Sequence, residues 1–132
     1  MWQSFCYFGE ETNQEILRQI YHKLTPGGRF VIDSYNREYY EQHQGSTRQE
    51  INGISIEAST RLQGQRLHTE LRYSDEDGER GEDHFDWQLY TPAEFCALAA
   101  KIGFTPLLTC TWSDGKKAPS PDVARMQIVL EK

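Results

Sequence analysis

The chain has 132 residues, with 14 Lys+Arg against 20 Asp+Glu and a formal net charge of -6. That length suits one domain able to bury a core without disulfides or a metal. No stretch clusters Lys or Arg, which excludes the phosphate-neutralising footprint of a nucleic-acid binder.

The apolar runs are only a few residues long, so none is predicted to span a bilayer. Residues 1–20 also lack the basic-then-apolar order of a signal peptide. Cys6, Cys96 and Cys110 are odd in number and far apart. They suit a reducing, cytoplasmic setting better than a disulfide framework, and no pair has zinc-ligand spacing. His22, His43, His68 and His84 are isolated from one another and are expected at the surface, so no metal site is predicted.

Taken in chain order, the first predicted element is a helix from about Glu11 to Leu24. Thr12 and Glu15 have capping-box spacing, and Ile16, Leu17, Ile20, Tyr21 and Leu24 recur on one stripe. Pro26 cannot continue that helix, and Gly27-Gly28 allows the positive φ of a tight turn. "RFVID" follows, with Phe30, Val31 and Ile32 contiguous, as in a strand covered on both faces.

The middle of the chain alternates with period two. Ile54, Ile56, Ala58 and Leu62 form one run, Leu67, Leu71 and Tyr73 a second, and Phe85, Trp87 and Leu89 a third. Short polar links join them, "QGQR" and then "SDEDGERGED", so a three-stranded antiparallel meander with one wet face is predicted. The charged link lacks the regular spacing of a calcium loop and reads as a solvated hairpin.

A second helix opens at "TPAE", with Thr91 as cap, Pro92 at its first position and Glu94 closing a capping box. Phe95, Leu98, Ala99 and Ile102 give its stripe, and Gly103 ends it. "FTPLLTCTW" is then a strand that Pro106 confines to a sheet edge or a bulge. A polar loop leads to a last strand, about Val123 to Leu130. No repeat or interdomain linker interrupts residues 1–132, which read as one domain with an insertion at about 48–90.

This order of parts resembles the C-terminal half of a class I S-adenosylmethionine-dependent methyltransferase. The residues that carry the resemblance are Leu24-Thr25-Pro26-Gly27-Gly28 leading into Arg29–Asp33, "SFCYF" at Ser4–Phe8, and "AAKIGF" at Ala99–Phe104. It covers nearly the whole chain outside the meander. The implied fold is an α/β, Rossmann-like sheet of which this chain holds the fifth, sixth and seventh strands. The last of these lies antiparallel between the other two, leaving the sixth at the edge. The meander would be an insertion after the fifth strand, where many small-molecule methyltransferases build a lid over the acceptor. The glycine-rich donor loop and the ribose-binding carboxylate of the family have no counterpart, and no G-x-G occurs in the chain. The resemblance implies that these lie upstream of Met1, so the chain alone is expected to bind S-adenosylmethionine weakly or not at all.

Methyl transfer from a sulfonium is an in-line displacement, in which the protein chiefly aligns the reacting atoms in a dry site. The ligand of an open α/β sheet lies beyond the carboxyl ends of its parallel strands. The resemblance places Ser4, Phe5 and Tyr7 at the donor, and Phe8, Tyr35, Asn36, Tyr39 and Arg125 around a small-molecule acceptor. Tyr40 is a further candidate for its roof, and no catalytic base is identifiable. Family members commonly have Gly where this chain has Cys6, which suggests a loop of different shape. The alternative to an enzyme is a binding or assembly domain that kept the architecture without the donor site. A homodimer through the edge of "RFVID" is also expected, since the fourth family strand is not represented.

Overall fold

The computed structural model describes residues 5–132. Ser4, one of the expected donor contacts, lies outside the described residues. Two sheets and three helices follow in chain order. They are α1 (Glu10–Lys23), β1 (Arg29–Tyr35), α2 (Arg37–Gln42), β2 (Gly45–Ile51), β3 (Ile54–Gln63), β4 (Arg66–Asp75), β5 (Gly78–Gln88), α3 (Pro92–Ile102), β6 (Thr105–Cys110) and β7 (Arg125–Glu131). A turn of 3-10 helix, Phe5–Tyr7, precedes α1. No helix among the described residues is long and apolar enough to cross a membrane.

The smaller sheet has the order β1-β7-β6. β7 is antiparallel to both neighbours, with Ile32 opposite Ile128 on one side and Thr109 opposite Ile128 on the other. β1 and β6 therefore run parallel, and β6 lies at the edge. The register of β6 slips between Pro106 and Leu108, at the residue that has no amide hydrogen to give the ladder.

The turn at Gly27-Gly28 locks onto the end of the chain. Gly27, in the left-handed region at φ 75, donates its amide to the Lys132 carbonyl, and the Lys132 amide returns a bond to Gly28. Helices α1 and α3 cover one face of this sheet. Leu17, Phe95 and Ala99 from the helices meet Ile32, Met126, Ile128 and Leu130 from the strands, all at 1% exposure or less. Each large apolar side chain buried this way stabilises the fold by about 1.5–3 kcal/mol.

The second helix starts as its sequence predicts: Thr91 accepts from the Glu94 amide and Glu94 accepts from the Thr91 amide. Its stop at Gly103 has two causes. The residue sits at φ 122, and a Cβ there would lie 2.9 Å from the Tyr21 ring. The first helix departs from expectation. It begins one residue earlier, at Glu10, with Gly9 as its N-cap and no side-chain cap, so the Thr12–Glu15 box does not form. Burial decides the frame. Asn13, 0% exposed, turns inward and donates to the Phe8 carbonyl and the Tyr90 hydroxyl.

The insertion has the three expected meander strands and one more. β2 precedes them, giving the order β2-β3-β4-β5. β2 is exposed throughout and lacks a hydrophobic alternation, which hid it. Its signal is the turn, Asn52-Gly53 at φ 52 and 78, which supports a two-residue hairpin with Ile51 opposite Ile54. The predicted faces hold. Ile56 opposes Tyr73, Leu71 opposes Ala58 and Leu67 opposes Trp87, so these share one face, while Glu57 and Arg72 oppose each other on the reverse.

The two helix starts give a paired prediction. Thr91→Ala should lower unfolding stability by about 1 kcal/mol through the lost cap. Thr12→Ala should change it by less than about 0.5 kcal/mol. Urea midpoints compare them, and equal losses would mean that the box at Thr12 forms after all.

Candidate active site

The chain leaves the smaller sheet at Asn36 and returns to it at Tyr90, and these two residues bridge in parallel. The Arg37 amide donates to the Tyr90 carbonyl, and its guanidinium spans to Glu94 at 2.6 Å and to Glu41 at 3.1 Å. Burial works against the Glu94 charge. Bonds from Arg37 and Thr91 outweigh it and hold the carboxyl below its usual range.

Beyond the carboxyl end of β1, aromatic rings from four segments meet. Tyr35, the last residue of β1, lies 5.6 Å from Trp87 of β5 and 5.7 Å from Tyr40 of α2. Trp87 is also 5.8 Å from Tyr7 in the first turn and stacks on Phe85 at 5.2 Å. Tyr39 continues the row through Tyr40, and His43 lies flat on it at 4.0 Å. Tyr7 remains 46% exposed at the open end. The indole nitrogen of Trp87 is buried without a hydrogen-bond partner.

Under the rings sits an ion pair. Arg125 holds Asp33 through Nε at 2.8 Å and through Nη2, and its guanidinium lies 5.3 Å from the centre of the Tyr35 ring. Gln127 donates to the other Asp33 oxygen at 3.1 Å. Arg125 thus meets a carboxylate on its own sheet. Burial pushes the Tyr35 phenol up, with Arg125 partly opposing, and pushes Tyr40 up further, helped by Tyr35 and Tyr39. A cavity of about 580 Å³ opens beside this pair, lined by Asp33, Tyr39, Trp112, Asp122 and Arg125 among others.

Two expected site residues are buried. Phe5 is 1% exposed and packs edge-on against Phe95 at 5.6 Å, so its ring belongs to the core. Asn36 is 0% exposed and caps α2. Its amide donates to Ser120 and accepts from Glu38, which leaves no accessible atom for an acceptor. Phe8 is 49% exposed, and its carbonyl accepts from Asn13.

Tyr7, Tyr35 and Tyr39 lie in the row of rings, and Arg125 lies beneath it. Trp87 and Phe85 were expected only on the apolar face of the meander. The signal that would have placed them at the site is their position just before the chain returns at Tyr90. Cys6 fits its loop without a left-handed backbone, since among the described residues only Asn52, Trp112 and Ser113 have positive φ outside glycine.

Solved structures of known proteins match this arrangement along nearly its whole length. An S-adenosylmethionine-dependent methyltransferase from Clostridium acetobutylicum superposes with a TM-score of 0.82 at 10% identity, covering 98% of this chain and 55% of that one. The CcbJ methyltransferase from Streptomyces caelestis gives 0.80 at 19% identity, over 96% and 55%. The sugar N-methyltransferase KedS8 from Streptoalloteichus gives 0.62 at 20%, over 96% and 52%. The fold is that of class I methyltransferases. More narrowly it is the C-terminal half of that fold, and the chain spans about half the length of the structures it matches. No protein-family model and no curated relative matches the sequence.

Cys6 gives a test of how tightly the first turn is packed. Its thiol is buried, lies 3.1 Å from the Ser34 hydroxyl, and is pushed up to about 11 by burial, with Ser34 partly opposing. At pH 8 it should stay protonated and resist iodoacetamide, while the half-buried Cys96 is alkylated first. Mass spectrometry of timed samples reads the order, and early labelling of Cys6 would show that the turn opens readily.

Proposed function

We propose that this chain supplies the acceptor-side half of an S-adenosylmethionine-dependent methyltransferase acting on a small molecule. The observation that carries the reading is the row of rings Tyr7–Trp87–Tyr35–Tyr40, gathered beyond the carboxyl end of β1. Aromatic faces suit a sulfonium donor and exclude water from the line of displacement. The likeness to solved methyltransferases supports it.

The acceptor we favour is an amine. A neutral amine already carries its nucleophilic lone pair, whereas a hydroxyl needs a base. Around the rings no such base is ready. Asp33 is held by Arg125 and Gln127, and the Tyr35 and Tyr40 phenols are raised and therefore protonated near neutral pH. His43, at the margin, lies flat on Tyr39 with Nδ1 2.8 Å from the carbonyl oxygen of that residue. Several neighbours point the same way by name: KedS8 is a sugar N-methyltransferase, CalS10 an amino pentose methyltransferase and MtfA a glycopeptide N-methyltransferase.

Calorimetry tests the half-site. The 132-residue chain alone should show no tight binding of S-adenosylmethionine. A polypeptide carrying the donor-binding half of such a fold ahead of it should bind and methylate amines. The rate should rise with pH as the acceptor loses its proton. In that polypeptide Tyr7→Ala should lower kcat with little change in donor affinity. Micromolar binding by the short chain would overturn the half-site reading, and an unchanged kcat would leave Tyr7 a packing residue.

A further inference from the structure

The connection from β6 to β7 is built at a conformational disadvantage. The Asp114 amide donates to the Thr111 carbonyl at 3.0 Å, closing a tight turn over Trp112 and Ser113. Both central residues are left-handed, at φ 58 and 54, where Asn-Gly is the usual choice and a large aromatic residue is rare. Such strain persists only where the surroundings over-determine it.

Here they do. The Thr111 hydroxyl donates to the Arg125 carbonyl at 2.8 Å, its amide donates to Lys117, and the Ser113 amide donates to Gln127 Oε1 at 3.1 Å. Gln127 is in turn fixed by Asp33, which is fixed by Arg125. The ion pair under the aromatic row therefore also sets this turn.

The strained turn presents the indole of Trp112, 70% exposed, at the cavity of about 580 Å³ that it shares with Tyr39, Val123 and Ala124. Three charged groups line the cavity. Asp33 and Arg125 neutralise each other, and Asp122 is exposed with no ion pair among the described residues. Two aromatic side chains and one uncompensated carboxylate make a local environment for a cation rather than for a phosphate.

We propose that Trp112, Tyr39 and Asp122 form a subsite for an organic ammonium group. It rests on the methyl-transfer reading for what that group is, the protonated acceptor or its methylated product. Its binding needs no donor. Cation recognition by ring faces accounts for an exposed tryptophan held in an unfavourable backbone.

The test uses the whole chain and a simple probe. Choline, with its quaternary ammonium, is titrated while the Trp112 indole resonance is followed, and the neutral isostere 3,3-dimethylbutan-1-ol is titrated in parallel. Choline should shift that resonance saturably, and the isostere should bind about tenfold more weakly. Asp122→Asn should weaken choline binding about fivefold. Trp112→Gly suits the left-handed backbone and removes the ring, so it should keep or raise the urea midpoint while losing choline binding, read in that variant from the Tyr39 ring resonances. Equal binding of both probes, no response at tens of millimolar choline (a weak-affinity ceiling), or full affinity in Trp112→Gly would each overturn the subsite. Failure of a longer polypeptide to bind S-adenosylmethionine would sink the methyl-transfer reading while leaving the choline result standing.

Discussion

Asn36 is the point on which the two sheets depend. Its amide nitrogen donates to Ala124 at 2.9 Å, its side chain donates to Ser120 and caps α2, and its backbone bridges Tyr90. One fully buried residue thus ties together the end of β1, the loop before β7, the first turn of α2 and the return of the insertion. A buried polar group of this kind is costly to leave unmatched, roughly 1–3 kcal/mol for each lost partner. Its use is positional. With Asn36 fixed, β5 must end beside β1, and Trp87 is carried to Tyr35.

The site follows from that junction. Neither sheet alone gathers the rings. β1 brings Tyr35, α2 brings Tyr39 and Tyr40, β5 brings Trp87 and Phe85, and the first turn brings Tyr7. Beneath them, the face of the smaller sheet opposite α1 and α3 carries the pairs Tyr35–Arg125 and Asp33–Gln127 in register. The Arg125–Asp33 pair is about 70% buried on both sides, so its net contribution to stability is modest once screening and desolvation are counted. Its effect is geometric: it orients Arg125 against Tyr35 and, through Gln127, holds the Trp112 turn.

Much of the fold was legible in the residues, and the reasons are specific. The glycine pair before β1 and the proline inside "FTPLL" mark β1 and β6 and put β6 at the edge, whereas the contiguous Phe30-Val31-Ile32 predicts a strand covered on both faces and Val31 is half exposed. Period-two alternation gave β3, β4 and β5 with their faces correct. Alternation states which side chains share a face but not what covers that face, so Trp87 was read as meander packing. β2 was lost because a two-sided polar strand carries no pattern, although its Asn52-Gly53 turn does. At α1 a local Thr-x-x-Glu motif was outweighed by the burial of Asn13, a tertiary demand invisible in a four-residue window. The burial of Phe5 is invisible locally for a similar reason. Its neighbours Tyr90 and Phe95 are some ninety residues away and pack against its ring.

The substitution of Cys for the expected Gly at residue 6 shows how the first turn tolerates a bulkier side chain. Glycine would be required if the backbone were left-handed there, and it is not. The sulfur points inward instead, against Ser34 of β1, where burial pushes the thiol pKa up. Inward-facing Cys6 and Phe5 anchor the turn to the core, and Tyr7 is left facing outward beside Trp87. The Cys6 side chain therefore adds packing below the site without adding a group to it. The outward residues Tyr7 and Phe8 are each about half exposed.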